Sequence, residues 1–463
     1  MESHKTHLPS IERTYTVQRA KPVLVVPAEP TPYEFKPLSD IDDQDGLRFY
    51  TKAVHLYKCE PSKEGQDPAR VIKDALAKTL VYYYPIAGRL REDSGRKLVV
   101  ECNSEGVVFV EAEADARVED FKKVPVLPIP GVQNLLYGPE DGHKITNKPL
   151  LYMQVTRFKC GGFSLGYETC HVIADGPGFV QFLAAVAELA CDNKCSPSVK
   201  PVWDRHILSA SSIPKKSLFS HLAYHEPETP NDMADDIMLT TPSDEMINGS
   251  FFFGLKQLQA LRKCLPLHMR AKATNFELIT AAVWQSRAIA LKYSPNLEVR
   301  VQFVLNVRGK RRFRKIPEGY YGNALVFPVA RATAGKLKEA PLMYSLELVR
   351  QAIEMATDEF LQSVMDHLVA QGRPHFVDTR TYLVSDITRA GFDAVDFGWG
   401  GRVYGGMVTV VPAGASFFMK GRNERGEEGV VVPLCLPEFA MKRFVAEIKG
   451  LMQDPDFNIY ARL

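Results

Sequence analysis

Residues 151–178 read LYMQVTRFKCGGFSLGYETCHVIADGPG, and this stretch decides the fold. Leu151, Met153 and Val155 alternate along one strand, Gly161-Gly162 turns the chain, and the strand returns from Phe163 to His171. Phe163, Leu165, Tyr167, Thr169 and His171 share a face of that returning strand, so the pattern predicts a β-hairpin. Asp175-Gly176-Pro177-Gly178 then ends the strand and opens a helix whose apolar side carries Phe179, Phe182, Leu183, Val186 and Leu189. A hairpin feeding a helix is a mixed α/β unit. His171 is left where a strand runs out into a glycine-rich loop, which suits a base that must meet a ligand.

On the N-terminal side, Pro22, Pro27, Pro30, Pro32 and Pro37 make residues 1–40 extended, with short strand pieces. Residues 67–81 predict a helix started by Asp67-Pro68, and Leu98–Cys102 with Gly106–Glu111 predict a second hairpin. On the C-terminal side, residues 192–248 are proline-rich and polar, and read as a crossover. Beyond them the patterns predict strand 250–254, helix 255–263 and a long helix over 275–292. Strand 299–307 alternates Val299, Val301, Phe303, Leu305 and Val307 against Arg300, Gln302, Asn306 and Arg308. One helix over 340–370, strand 381–385, strand 415–419, a charged turn at 421–428, strand 429–433 and helix 438–451 complete the chain. Both halves mix strands and helices. With 463 residues the chain exceeds one ordinary core. The expectation is two domains, 1–195 and 249–463, joined by the crossover 196–248.

Hydrophobic residues make up 45% and charged residues 24%, as in soluble globular proteins. A net charge of +2 provides no general field for nucleic acid or an anionic membrane, and no apolar run is long enough to span a bilayer. The N-terminus lacks the basic start and apolar block of a secretory signal. Eight cysteines show no repeated spacing, and Cys191 with Cys195 has no second pair to complete a zinc motif. Free thiols, no metal, a cytoplasmic location and a monomer are the expectations. Ala461-Arg462-Leu463 follows the small-basic-Leu pattern of a peroxisomal address, against the reading of an ordinary charged tail.

Several residues carry possible chemistry. His171 can serve as a general base, since imidazole titrates near working pH; the other reading is a core histidine at a strand end. Cys170 cannot be its nucleophilic partner, because adjacent strand residues point to opposite faces. Asp175 could orient His171 as a triad acid, but a buried carboxylate needs a cation, and Arg308 on the polar face of strand 299–307 favours a structural pair. In the loop Asp396-Phe397-Gly398-Trp399-Gly400, the Trp399 indole N–H could donate to an oxyanion; the alternative is a structural corner in which Asp396, Gly398 and Gly400 serve the backbone. The run Arg308-Gly309-Lys310-Arg311-Arg312-Phe313-Arg314-Lys315 reads either as a localisation or nucleic-acid patch or as a loop that holds phosphates.

The His171–Gly176 and Asp396–Gly400 blocks, in this order and separation, resemble the paired signatures of the plant BAHD acyltransferases, which use acyl-CoA donors. The resemblance covers nearly the whole chain. It extends to Leu38–Asp42, Tyr84–Leu90, Thr274–Glu277, Gly319–Asn323 and Leu383–Asp386. Within the family, Ser39–Phe49 and Gly372–Phe376 are similar to the benzyl alcohol O-benzoyltransferase and alcohol acyltransferase group. The resemblance implies two similar domains of the chloramphenicol-acetyltransferase type, each a mixed sheet flanked by helices, with a solvent channel between them. It implies His171 as the base, Asp175 paired with Arg308, Gly176 as part of the motif, and Trp399 as the part of its loop closest to the chemistry. It implies acyl-CoA as co-substrate with no permanently bound cofactor, Ser39, Asp42, Thr274, Tyr320 and Ser385 as substrate or CoA contacts, and an alcohol acceptor such as benzyl alcohol. The chain departs from nearby members at Thr169-Cys170, where they read Leu-Asn, and at Gly176, where they read Ala. That changes the pocket wall and leaves an amine acceptor as the alternative.

Overall fold

A computed structural model describes residues 15–121, 131–139, 141, 144–191, 195–212, 219–227, 236–399, 402–407, 414–453, 457 and 459–461. The first half holds strands β1 (Val17–Arg19), β2 (Val23–Val25), β3 (Phe35–Pro37), β4 (Tyr50–Tyr57), β5 (Arg89–Glu92), β6 (Leu98–Glu101), β7 (Val107–Ala114), β8 (Leu151–Phe158) and β9 (Phe163–Cys170). Helices α1 (Pro68–Tyr82) and α2 (Gly176–Cys191) lie among them. The second half holds β10 (Met246–Gly254), β11 (Glu298–Phe303), β12 (Leu305–Asn306), β13 (Leu325–Val326), β14 (Val329–Thr333), β15 (Thr381–Asp386), β16 (Arg402–Met407), β17 (Ala415–Arg422), β18 (Glu428–Pro437) and β19 (Ile459–Ala461). Its helices are α3 (Ile237–Thr240), α4 (Leu255–Lys263), α5 (Leu267–Arg270), α6 (Asn275–Leu291), α7 (Ala334–Glu339), α8 (Leu342–Met355), α9 (Asp358–Ala370) and α10 (Glu438–Met452).

The predicted hairpin is β8 and β9, antiparallel, with Leu151 opposite Thr169 and Arg157 opposite Phe163. It sits inside a seven-stranded sheet of order β1-β7-β8-β9-β4-β16, with β2 also on β7. Every residue of β9 is buried. Phe179, Phe182 and Leu183 of α2 share a core with Phe163, Leu165 and Tyr167 on one face. Val54, Leu56, Leu135, Leu136 and Phe158 make a smaller cluster of their own. A second seven-stranded sheet runs β14-β11-β15-β17-β18-β10-β19, and β11, β15 and β17 in it are parallel. Helices α6, α8 and α10 build its core with Trp284, Val349 and Phe444. The fold is thus the mixed α/β architecture expected. One strand crosses between the halves: β16 pairs antiparallel with β4, Gly405 opposite His55. The core under the first sheet likewise takes in Phe397 and Trp399.

Two local expectations are corrected. Residues 98–111 are not a hairpin. β6 joins β3 and β5 in a three-stranded sheet, whereas β7 runs parallel to β8. The chain changes sheets at Gly106, which has φ +90° and whose absent Cβ would lie 2.4 Å from the Val25 carbonyl oxygen. The helix expected over 340–370 is two helices. Ala356 leaves helical geometry, and the Thr357 hydroxyl caps α9 through the Phe360 N–H. The polar face of 299–307 packs inside the protein over much of its length. Arg300 and Gln302 are buried, and the Arg300 guanidinium is satisfied by Glu298 and the carbonyls of Leu222 and His225. Strand β16 had no prior signal. Arg314 in the basic run is also committed internally, to Asp358, Gln362 and the Ile207 carbonyl. Among the described residues no helix is long and apolar enough to cross a membrane. Arg462 and Leu463 of the C-terminal tripeptide lie outside the described residues.

Candidate active site

His171 follows directly on β9. The register sets Tyr50 opposite Cys170, so the next pair along, Phe49 and His171, also face each other. The His171 N–H donates to the Phe49 carbonyl at 2.9 Å, and the two rings are 5.2 Å apart. The imidazole stays half-buried, while Cys170, Val172 and Ile173 around it are buried. Desolvation by burial holds its pKa below the ordinary imidazole value; the Asp175 charge and the Asn323 amide pull the other way. Cys170 points to the opposite face, and burial pushes its thiol up to about 12, so it stays a thiol.

Asp175 is turned away from the imidazole. One carboxylate oxygen accepts the Gly178 N–H at 3.0 Å, and the Asp175 carbonyl accepts the Phe179 N–H, so the residue caps α2. The other oxygen accepts from Arg308 Nη1 at 2.6 Å and from the Ala324 N–H at 3.0 Å. Arg308 also donates to the Gly322 carbonyl. The expected ion pair is therefore present, and it ties the His171 loop to the segment after β12. The glycines differ in what they need. A Cβ on Gly176 would find its nearest neighbour at 3.9 Å, whereas one on Gly178 would sit 2.0 Å from the Tyr321 carbonyl oxygen. This corrects the weight placed on Gly176 and makes Gly178 the residue that must be small. Gly176→Ala is expected to leave the thermal midpoint unchanged, and Gly178→Ala to lower it by several degrees; equal midpoints would contradict this packing.

Asn323 is the neighbour that sequence reasoning quoted within a motif but left without a role. Its amide donates to the His171 carbonyl and to Asp42 Oδ1, each at 2.9 Å. Its Oδ1 and the His171 Nδ1 are both buried and have no hydrogen-bond partner among the described residues. Asp42 itself is fully buried and accepts from Ser39 N–H and Oγ–H, Arg205 Nη1, Asn323 N–H and the Asn323 amide. Ser39 and Asp42, expected as substrate contacts, are both fully buried, and these hydrogen bonds of theirs run within the protein. Tyr320, 2% exposed, is likewise an internal support, its ring under the guanidinium groups of Arg205 and Arg308. Arg205 also holds the Ile173 carbonyl at 2.8 Å, two residues past the imidazole. Thr274 is exposed and forms the capping box of α6 with Glu277. Ser385 lies half-buried near the end of β15.

Trp399 lies far from His171. It packs edge-on against Phe163, ring centroids 6.0 Å apart, and lies under the Lys63 ammonium. Phe163 and His171 are separated by the length of β9, roughly 25 Å at the usual strand rise. An indole N–H at that end cannot reach an atom held by His171, so the oxyanion role is withdrawn. The loop is a corner. Asp396 accepts the Gly398 N–H at 2.7 Å, Gly398 adopts φ +77°, and Tyr57 binds the Val395 carbonyl at 3.1 Å. Gly400 lies outside the described residues.

Known proteins match this arrangement along almost its full length. Residues 15–451 match the Transferase family. The chain is 47% identical over 449 residues to a benzyl alcohol O-benzoyltransferase of Nicotiana tabacum, covering 96% of this chain and 95% of that protein. It is 43% identical to alcohol acyltransferase 1 of Actinidia deliciosa, with 94% of each chain covered. Among solved structures, vinorine synthase superposes with a TM-score of 0.71 at 21% identity, covering 94% of this chain and 98% of that one. TRI101 of F. sporotrichioides, complexed with coenzyme A and T-2, gives 0.68 at 16% identity, covering 93% and 99%.

Proposed function

The chain belongs to the Transferase family, the BAHD acyltransferases of the sequence resemblance, and from that premise we propose that it moves an acyl group from acyl-CoA to the oxygen of a small alcohol, with His171 as base. The observation that carries this is one imidazole, kept neutral by burial yet half-open, at the mouth of β9. The benzyl alcohol O-benzoyltransferase relative supports a benzoyl donor and benzyl alcohol as acceptor. A single chain supplies the base and its supports, so a monomer would suffice for the reaction.

Asp42 fixes the Asn323 amide with its N–H groups toward the carboxylate and the His171 carbonyl. The amide oxygen is then the acceptor left for an Nδ1–H, which puts the basic lone pair on Nε2. In a ternary complex Nε2 takes the hydroxyl proton as the oxygen attacks the thioester carbonyl. The tetrahedral intermediate collapses by breaking the C–S bond, and the thiolate leaves with the proton returned by the imidazolium. A thiolate is a good leaving group, so no second acid is called for. Parallel strands β11 and β15 end beside the segment that carries Arg308. CoA enters at those strand ends, with Thr274 and Ser385 as contacts, and the acceptor enters from the other side of His171.

Thiol release followed with DTNB, using benzoyl-CoA with and without benzyl alcohol, tests the reading; release that the alcohol does not accelerate would end it. The pH dependence has a definite sign. The base works when neutral, so kcat/KM falls as pH falls through the His171 pKa, and burial sets that limb below the free imidazole value of about 6.5. An acid limb above that value would contradict the assignment.

A further inference from the structure

Phe49 is 40% exposed, although Leu47 and Tyr50 on either side are only 4% and 6% exposed. An aromatic ring left in water forgoes the free energy of burial, and such a ring beside a reactive group asks for an occupant. One side of this phenyl is already taken by the His171 imidazole, at 5.2 Å with planes tilted by 47°. The contact is built into the backbone. Phe49 and His171 are the register pair after Tyr50 and Cys170, and the Phe49 carbonyl accepts the His171 N–H at 2.9 Å. Side chains directly opposite on antiparallel strands share a face, so Phe49 lies on the face the base works from.

We propose that Phe49 is the ring against which the acceptor's own apolar group rests, and that it sets a preference for aryl carbinols over straight-chain alcohols. The inference rests on the acyl-transfer reading and deepens it. A general base must lie within about 2.6–3.2 Å of the attacking hydroxyl oxygen. The carbinol carbon is one bond from that oxygen, and in an aryl carbinol the ring is one bond further. That places the acceptor's ring within a ring's width of the imidazole, where Phe49 stands. The acyl carbon lies on the far side of the attacking oxygen, so the donor's group falls further from Phe49. Two aromatic rings prefer offset or edge-on contact at centroid separations of about 4.5–7 Å, a geometry an alkyl chain cannot reproduce.

The test compares the full-length enzyme with Phe49→Ala, Phe49→Leu and Phe49→Tyr, with benzoyl-CoA as donor and benzyl alcohol or 1-hexanol as acceptor. The ratio of kcat/KM for benzyl alcohol to that for 1-hexanol is expected to fall about three- to tenfold in the alanine and leucine variants and to stay at the parent value with tyrosine. Leucine keeps bulk without a π-face, so it remains informative if alanine fails to fold. An unchanged ratio in both variants would overturn the inference, and so would a loss confined to the KM for benzoyl-CoA, which would assign the ring to the donor. If the parent enzyme releases no CoA with either alcohol, the acyl-transfer reading itself falls and takes this inference with it.

Discussion

Replacing His171 with alanine is expected to lower kcat by about 10²–10⁴-fold, the usual contribution of a positioned general base. The thermal midpoint should stay close to that of the parent. What anchors this residue in the fold is backbone: its N–H to Phe49 and its carbonyl to the Asn323 amide, and alanine keeps both. The side chain is half-open, so truncation leaves no sealed cavity. Steady-state thiol release and a thermal melt on the same preparation check both halves. A variant with near-parent turnover would remove the base from the mechanism.

Asp42→Ala is expected to act the other way, through the fold first. Among the described residues the carboxylate is the counter-charge of Arg205, which is 2% exposed, and it also receives two N–H groups of Asn323. Removing it strands a buried guanidinium, which costs about 3–5 kcal/mol. Activity should fall as well, because Asn323 loses the partner that orients it against His171. Urea unfolding of the variant measures the first effect. Parent-like unfolding with lost turnover would mean that Asp42 touches substrate, as the motif resemblance implied, and that its burial here is misread.

Much of the site was legible along the chain, and what was missed has a pattern. The hairpin, the helix after it and the exit of His171 between them followed from residues a few positions apart. So did the rejection of Cys170, since two-residue periodicity on a strand is a local rule. The Asp175–Arg308 pair could be anticipated because a buried carboxylate demands a cation and Arg308 stood on the polar face of strand 299–307. Trp399 misled. Glycines around a tryptophan look alike whether they shape a ligand loop or a corner. Only the Phe163 contact shows that this one lies at the far end of β9. Ser39 and Asp42 misled for a related reason: polar residues in a motif invite a ligand, yet here the ligand is the protein's own Arg205 and Asn323.

The sequence by itself therefore determined the hairpin, the helix after it, the Asp67 start of α1 and the residue able to act as base, because periodicity, capping and side-chain chemistry are properties of near neighbours. Tertiary structure alone decided that the Asn323 amide holds the His171 carbonyl, that β16 closes the sheet of β4, and that Gly178 rather than Gly176 must lack a side chain. Those outcomes depend on which surfaces press together after the chain has folded over itself. No local pattern encodes how close two backbones 143 residues apart, such as Gly178 and Tyr321, will finally come.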